Sequence, residues 1–216
     1  MKSTLCLLLA SLMTTTATAA TPPVPPDAAK HPHVVKAPFG ATRNDDYYWL
    51  RDDKRENKDM LAYLQAENAY ADQLLAPLKP LEDTLYKEIV GRIKQDDSSV
   101  PARERGYWYY SRYETGQDYP IHARRKGAME APEEILLDVN ALAAGKGYFS
   151  VGSMEVSQDN QLLAWADDDV GRRQYTIRFK DLRTGQVLPD VISGSSGDLV
   201  WADDNRTVLY VENDPE

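Results

Sequence analysis

The spacing of apolar residues separates a helical part of the chain from a strand-rich part. Between Asn57 and Leu75 apolar residues recur near the 3.6-residue period, which predicts an amphipathic helix with Asn57 as its N-cap. Pro77 and Pro80 are expected to end this helix. A second amphipathic helix, with an apolar residue at every fourth position, is predicted to follow and to fade before residue 94. The residues that set this second pattern are Leu81, Leu85 and Ile89.

Beyond Ser99 apolar and polar residues alternate, which is typical of half-buried strands. The segments "GYWYYSRYETGQDYPIHARR" (106–125) and "YTIRFKDLRTGQVLPDVI" (175–192) each predict two strands around a Thr-Gly turn. A second repeat pairs "DNQLLAW" with "DNRTVLY", which begin at Asp159 and Asp204, 45 residues apart. This interval lies within the roughly 40 to 50 residues of one β-propeller blade.

These repeats predict a mainly β fold built from propeller blades, each of which buries its faces against its neighbours. Residues 100–216 hold one atypical blade, one clearer blade and the first strands of a third. Closed propellers need roughly four to eight blades. We therefore expect a partial, truncated β-propeller preceded by an N-terminal helical segment, in a sequence that is a fragment of a longer architecture.

Residues 1–20 have the organisation of a secretory signal peptide. Lys2 precedes an apolar run over residues 5–12, and small residues lead to an expected cleavage after residue 19 or 20. The run is too short to span a bilayer of about 30 Å. The mature protein is therefore expected to be exported, either periplasmic or secreted, and to have no membrane partner. The next residues, 21–37, contain five prolines and predict an extended arm.

Charge and cysteine content narrow the possible functions. The sequence has 25 basic and 34 acidic residues and a formal net charge of −9, which argues against nucleic acid as a partner. The only cysteine, Cys6, lies in the predicted signal peptide, so the mature chain is expected to have no disulfide. His31 and His33 would share one side of the arm, but no third ligand lies near them in sequence. We expect no metal and no cofactor.

The segment "DDYYWLRDD" (45–53) places Tyr47, Tyr48 and Trp49 in a row between acidic residues. One hypothesis is that the three rings are buried against another part of the polypeptide, as large aromatic side chains in docking surfaces are. The alternative is an aromatic platform that binds a ligand such as a sugar or a peptide. The residues alone leave both hypotheses open.

The sequence contains no residue set suited to catalysis. Serine hydrolases of the α/β type need a G-x-S-x-G elbow, an acid and a histidine, and this motif is absent. The segment "GSSG" (194–197) has the wrong spacing, so Ser195 and Ser196 are predicted to be turn residues before a strand. His122 lies in a predicted hairpin strand and has no serine partner of the required context. Residues 167–169, all aspartates, lack the alternating ligands of a Ca²⁺ loop and predict a solvated turn.

Several segments in order resemble the N-terminal part of the prolyl oligopeptidase family of serine peptidases, and within it oligopeptidase B. They include "FGATRNDDYYWLRDD", "LYKEIVGRIKQDDSSVP", "YWYYSRYETGQDYPIHARRK" and "VSQDNQLLAWADDDVGRRQYTIRFKDLRTGQVLPDVI". The resemblance extends from about His33 to the last residue. Its specificity comes from the number of separate segments that match in the same order.

The resemblance implies a domain order for the chain. An N-terminal segment, residues 21–93, would pack on an α/β-hydrolase catalytic domain, residues 94–99 would form a hinge, and residues 100–216 would be the first blades of a seven-bladed propeller. The catalytic domain is absent from this sequence, so it would belong to the same polypeptide or be encoded separately.

The resemblance also gives the candidate site residues a role. Tyr47, Tyr48 and Trp49 would dock on the catalytic domain, and Asp96 and Asp97 at the hinge would form ion pairs that hold the domains closed. No catalytic, cofactor-binding or metal-binding residue can be carried over to this chain.

The implied function is that of a serine-type peptidase that cleaves short peptides after Arg or Lys, with the propeller restricting access by size. This chain alone is expected to be inactive. Two alternatives remain open: a prolyl-specific peptidase of the same family, and a non-catalytic exported propeller-type binding module.

Overall fold

A computed structural model describes residues 22–212 and residue 214, so the predicted signal peptide lies outside the described residues. The chain forms two units, with the boundary between Gly91 and Arg92. Strands make up 36% of the chain and helices 24%, which confirms the mainly β fold.

The first unit contains the arm, a short hairpin and two helices. The end of the predicted arm pairs antiparallel with the strand that follows. The elements of this unit are β1 (Val34–Lys36), a 3-10 turn (Pro38–Gly40), β2 (Thr42–Asn44), a 3-10 turn (Tyr48–Leu50), α1 (Lys58–Leu75), a 3-10 turn (Ala76–Leu78) and α2 (Lys79–Arg92).

Both predicted helices are present. The Asn57 side chain accepts hydrogen bonds from the backbone N–H groups of the second and third residues of α1, which confirms the N-cap. α1 ends at Leu75, and Pro77 lies in the 3-10 turn that follows. Pro80 does not end a helix but lies in the first turn of α2, where a missing N–H leaves no intrahelical bond unmade. No helix among residues 22–212 is long and apolar enough to cross a membrane.

The second unit is a succession of antiparallel strands in two sheets. The first sheet has the order β3-β4-β5-β6, and the second has the order β11-β10-β9-β8-β7. The elements are β3 (Ala102–Glu104), β4 (Tyr107–Arg112), β5 (Ile121–Lys126), β6 (Glu133–Asp138), α3 (Val139–Ala143), β7 (Ser150–Val156), β8 (Leu162–Asp168), β9 (Tyr175–Asp181), β10 (Val187–Trp201) and β11 (Val208–Glu212).

Strand β10 belongs to two blades. Its first part, up to Ser195, pairs with β9, and its second part pairs with β11, with register shifts on both sides near Ser195. Gly194 and Gly197 have φ values of 79° and 100°, which glycine adopts without steric cost, and they allow the strand to change partners. The two sheets therefore form one four-stranded blade, a second four-stranded blade and the beginning of a third, which confirms the predicted partial propeller.

The path of β10 corrects the prediction for "GSSG". Ser195 and Ser196 lie within a continuous strand instead of a turn before a strand, and Ser195 is fully buried. The chain passes from one blade to the next without leaving sheet pairing, so no free turn forms here.

The repeated Asp-Asn pair has the same conformation in both copies. Asn160 and Asn205 have φ values of 63° and 57° in the turns before β8 and β11, a left-handed conformation that Asn tolerates well. The Asn205 side-chain oxygen accepts a hydrogen bond from the Asp159 backbone N–H at 2.9 Å. The Asn160 side-chain nitrogen donates to the Arg105 carbonyl at 3.3 Å, in the turn before β4. Each turn is thus bonded to the equivalent turn of the preceding blade.

The apolar core lies in two layers between adjacent blades. Strand β8 supplies both layers because successive residues of a strand face opposite sides. Leu163 and Trp165 lie in the layer between the first and second blades, and Ala164 and Ala166 in the layer toward the third. All four side chains are at most 1% exposed. The second blade is therefore the only described blade covered on both faces.

Candidate functional site

The aromatic residues 47–49 hold the arm that precedes them. The His33 ring stacks on Tyr48, with centroids 4.1 Å apart and planes 8° from parallel. The His31 ring lies 5.2 Å from the ring of Trp49. Since residues two apart in an extended chain point to the same side, His31 and His33 contact neighbouring rings together. We call these four residues the aromatic clasp.

Hydrogen bonds reinforce the aromatic clasp. The Trp49 indole N–H donates to the Ala29 carbonyl at 2.9 Å. The His31 N–H donates to the Asp46 carbonyl at 2.9 Å, and the Asp45 N–H donates to the His33 carbonyl at 2.8 Å. The arm is therefore fastened to the residues around the aromatic segment by both its backbone and its side chains.

Tyr47 is the most exposed of the three aromatic residues, at 43%. Tyr48 presents one ring face to His33, and Trp49 also meets the ring of Tyr63 edge-on at 6.0 Å. A platform for a flat ligand requires open ring faces, and the clasp occupies part of them. The geometry favours fastening of the arm over a ligand platform, while docking of these rings on a further domain stays a prediction.

Asp52 shapes the turn between the aromatic clasp and α1. Its carboxylate accepts hydrogen bonds from the backbone N–H groups of Glu56 and Asn57, both at 2.6 Å, and of Lys54 at 3.1 Å. These bonds, with that from Asn57 the strongest, hold the pKa of Asp52 below its usual value. The carboxylate therefore orders the residues that lead into the helix cap.

The predicted hinge pair is exposed. Lys94 lies 3.6 Å from the carboxylate of Asp97, and both side chains are more than 60% exposed. An exposed pair of this kind contributes about 0 to 1 kcal/mol. The Asp97 carbonyl accepts a hydrogen bond from the Tyr113 N–H, so its backbone is attached to the first blade. Asp96 is exposed, and the role of both acids in closing a domain interface stays a prediction.

The expectation of a solvated turn at residues 167–169 is wrong for two of the three acids. Asp167 and Asp168 are 4% and 2% exposed at the end of β8. The Asp167 carboxylate accepts hydrogen bonds from Trp165 Nε1 at 2.9 Å and from Arg178 Nε at 3.0 Å. Its partners come from within the blade, so this acid has a structural role.

Asp168 organises the turn that follows it. Its carboxylate accepts hydrogen bonds from three backbone N–H groups, of Val170, Gly171 and Arg173, at 2.9, 2.9 and 2.7 Å. Burial raises the pKa of Asp168, but these hydrogen bonds together outweigh burial and hold it below its usual value. The carboxylate oxygens are therefore committed to the protein backbone.

Sequence reasoning missed the partner of His122. Ser111 and His122 are paired across β4 and β5, and Ser111 Oγ lies 3.0 Å from His122 Nδ1. Counting outward from the predicted Thr115-Gly116 turn would have paired Ser111 with Pro120, two residues before His122, so the observed register was needed to find this contact. Burial lowers the pKa of His122 below its ordinary value, which keeps the ring neutral at pH 7.

This pair does not form a catalytic triad. In a triad the histidine is oriented by a carboxylate on one nitrogen and contacts the nucleophile with the other. Here the serine is bonded to Nδ1, and no carboxylate among the described residues is hydrogen-bonded to the ring.

Comparison with known proteins identifies the propeller. Residues 26–216 match the family model described as "Prolyl oligopeptidase, N-terminal beta-propeller domain". The chain is 62% identical to "Dipeptidyl aminopeptidase BI" of Pseudoxanthomonas mexicana over 100% of its own length and 32% of that protein. It is 34% identical to "Protease 2" of Moraxella lacunata over 85% of its length and 27% of that protein.

The fold matches a solved structure of the same group. Oligopeptidase B from Leishmania major has a TM-score of 0.80 and 32% sequence identity, over 91% of this chain and 29% of that one. The chain spans about a third of the length of the relatives it matches. Its first two blades and the start of its third therefore belong to the N-terminal β-propeller domain of the prolyl oligopeptidase family of serine peptidases, of which the chain is a member.

Proposed function

We propose that the chain is the N-terminal part of an exported serine oligopeptidase that hydrolyses short peptides after Arg or Lys. In this proposal the propeller restricts substrate access by size, and an α/β-hydrolase domain supplies the catalytic serine, acid and histidine. The chain contributes support and selection of substrate by length, and no catalytic group.

One observation carries the proposal. The whole chain is 62% identical to a relative named as a peptidase, yet it covers only 32% of that relative's length. At that identity the two chains share their fold, and the peptidase chemistry has no counterpart here because the sequence has no G-x-S-x-G.

The exposed stripe of α2 supports a docking role for the helical segment. Leu81, Leu85 and Ile89 are 56%, 47% and 59% exposed. Three exposed apolar side chains on one side of a helix form a surface whose burial against another domain would be energetically favourable. In the proposal the catalytic domain covers this stripe together with Tyr47.

A second function is favoured by the name of the same relative. A dipeptidyl aminopeptidase, in the words of its name, releases dipeptides from an amino terminus. Such an enzyme needs a substrate with a free α-amino group, whereas an endopeptidase accepts a blocked one. Cleavage after proline is a third specificity within the family.

A chimera tests the support and selection role. The first third of the Pseudoxanthomonas mexicana relative is replaced by the mature part of this chain, which aligns with it over its whole length. We expect the chimera to hydrolyse a short arginyl peptide and to leave an unfolded polypeptide of protein length intact, as the parent relative would. A folded chimera that digests both substrates equally would contradict the selection role.

Three substrates separate the specificities in the polypeptide that contains this chain and its own catalytic part. They are an arginyl amide with a blocked amino terminus, a dipeptidyl arginyl amide with a free amino terminus, and a blocked prolyl amide. Cleavage of the first supports the endopeptidase, cleavage of the second alone supports dipeptide release, and preference for the third overturns basic specificity. The present chain alone is expected to cleave none of them above a buffer blank.

Export is tested separately. We expect the protein recovered from its native cell outside the cytoplasm to begin at residue 20 or 21, because cleavage follows the small residues at the end of the predicted signal peptide. Amino-terminal sequencing decides the point, and an intact Met1 on exported protein would contradict it.

A further inference from the structure

Two cavities, both open to solvent, lie between the first and second blades, and they share His122 and Met154. Their volumes are about 230 and 340 Å³. The first is bordered by Ser99, Ser111 and Tyr109, among others, and the second by Phe149 and by residues of β7. Strands from both complete blades form the walls, so the cavities are a product of blade packing.

The His122 ring is held in place at the junction of the cavities. Ser111 Oγ lies 3.0 Å from Nδ1, and the Ser111 backbone N–H donates to Ser99 Oγ at 2.9 Å. His122 Nε2 has no hydrogen-bond partner among the described residues. A neutral imidazole has one donor and one acceptor nitrogen, and the hydroxyl of Ser111 can serve either. His122 Nε2 can therefore donate a hydrogen bond to a ligand acceptor or accept one from a ligand donor.

The other lining residues are apolar, aromatic or uncharged. The second cavity is lined by Tyr119, Pro120, Val139, Phe149, Ser150, Val151 and Gly152 besides the shared residues. Among the described residues no charged side chain lines either cavity. A charged ligand would lose part of its hydration without gaining an opposite charge, which is unfavourable. The lining thus selects an uncharged ligand.

Size and shape narrow the ligand further. A dry cavity of about 150 Å³ holds one benzene molecule, so each cavity here has room for one aromatic ring with a small substituent. Phe149 and Tyr119 offer ring faces and edges against which another ring packs favourably. His122 Nε2, which has no hydrogen-bond partner among the described residues, favours a ligand that carries a hydrogen-bonding group.

We infer that the cavities around His122 form a binding site for a neutral phenol, the chemistry of a tyrosine side chain or of a free phenolic compound. The ring packs between the blades against Phe149 and Met154, and the phenolic hydroxyl is hydrogen-bonded to His122 Nε2. Ser111 acts as a positioning residue because it fixes the ring through Nδ1.

Histidine NMR of the present chain tests the site directly. The chain has three histidines, so ¹⁵N-labelled imidazoles give few signals, and those of His122 are assigned from the variant His122→Phe. We expect p-cresol to shift the His122 ring nitrogens in a saturable way and to leave His31 and His33 unchanged. Absence of any His122 shift up to the solubility of p-cresol would overturn the proposal.

Two probes serve as controls without altering the protein. Toluene, which lacks the hydroxyl, is expected to bind about two- to tenfold more weakly, the net value of one neutral hydrogen bond. Benzoate of similar size is expected not to bind, because its charge has no partner. Equal binding of toluene and p-cresol, or tight binding of benzoate, would contradict the inferred contact.

Variants separate positioning from packing. Ser111→Ala is expected to weaken p-cresol binding and to change the Nδ1 signal of His122 even without ligand. The matched control is Ser196→Ala, which removes a buried hydroxyl that has no hydrogen-bond partner in the described part of the chain. It is expected to leave binding unchanged. If Ser111→Ala binds p-cresol as the unaltered chain does, Ser111 is not a positioning residue.

The source of the phenol is distinguished by a second ligand. N-acetyl-tyrosinamide carries the same ring on a blocked peptide backbone. If it shifts His122 as p-cresol does, the site accepts a tyrosine side chain of a peptide. If p-cresol alone does so, the site is confined to free phenols.

Discussion

Helix α2 carries an apolar stripe on one side and strand β8 is apolar on both faces, and these apolar residues differ completely in their burial. Leu81, Leu85 and Ile89 of α2 are about half exposed, whereas Leu163 and Trp165 of β8 are 0% and 1% exposed. The difference lies in what covers them. A blade buries both faces against its neighbours, while the described residues leave the stripe of α2 uncovered. An apolar pattern thus predicts that a face is buried, but it does not identify the residues that pack against that face.

The largest expected effect is in the core of the second blade. Leu163→Ala removes a fully buried side chain between two blades, and we expect a loss of about 2 to 5 kcal/mol in the free energy of unfolding. The matched change Leu85→Ala, on the exposed stripe, should cost less than about 0.5 kcal/mol. Urea unfolding followed by tryptophan fluorescence and by helical circular dichroism measures both. Equal costs would show that the stripe is covered in solution.

The same Gly→Ala substitution is expected to destabilise the protein at one position and to stabilise it at another. At Gly197 an added Cβ would lie 2.8 Å from the Tyr175 ring, and φ is already +100°. Gly197→Ala should therefore cost about 1 to 3 kcal/mol. Gly91 lies in α2 with nothing within 4 Å of an added Cβ, so Gly91→Ala should stabilise the helix by roughly 0.5 kcal/mol. Thermal unfolding of both variants tests the contrast, which fails if the two shifts have the same sign.

The aromatic clasp predicts a change in proteolysis. Trp49→Ala removes the ring beside His31 and the bond to Ala29, together worth roughly 1 to 2 kcal/mol. Trypsin should then cleave after Lys30 about tenfold faster, as followed by mass spectrometry. Tyr47→Ala, which removes the more exposed neighbouring ring, is the control and should leave the rate unchanged. A similar acceleration in both variants would mean that the clasp does not hold the arm.

The smallest effect is the pH dependence of the first blade interface. Burial lowers the folded-state pKa of His122 below 6.5, so below about pH 6.5 the unfolded chain binds a proton that the folded chain does not. The contribution of neutral His122 to the free energy of unfolding is fully present above pH 6.5. It is lost as the pH falls from 6.5 toward the folded-state pKa of His122. We therefore expect the free energy of unfolding to fall between pH 7.5 and pH 5.

The variant His122→Gln isolates the part of the pH dependence that comes from the burial of His122. Its urea midpoint should fall less between pH 7.5 and 5 than that of the unaltered chain, because no imidazole has to stay neutral inside the protein. Ser196→Ala, which changes a buried side chain without a titratable group, is the control and should keep the full pH dependence. If the unaltered chain and His122→Gln have identical pH profiles, the burial of His122 is not the cause of the lower stability at low pH.

Local patterns were sufficient for helix α1 and for the Asp-Asn turns. The Asn57 cap, the end of α1 at Leu75 and the Asp-Asn turns all depend on hydrogen bonds and dihedral angles within a few residues. The blade repeat could be recognised for the same reason, because each copy carries its own turn and strand pattern. The start of α2 was missed because proline is tolerated in a first helical turn as well as beyond a helix end.

The amino-acid sequence by itself determined the two periodicities, the blade repeat and the membership of a peptidase family. Only the tertiary structure decided that Asp167 and Asp168 are buried, that β10 passes through "GSSG" as one strand, that His31 and His33 stack on Tyr48 and Trp49, and that Ser111 meets His122. Each of these depends on which distant residue supplies a hydrogen bond or covers a surface. Such partners are set by strand register and blade packing, which no local spacing contains.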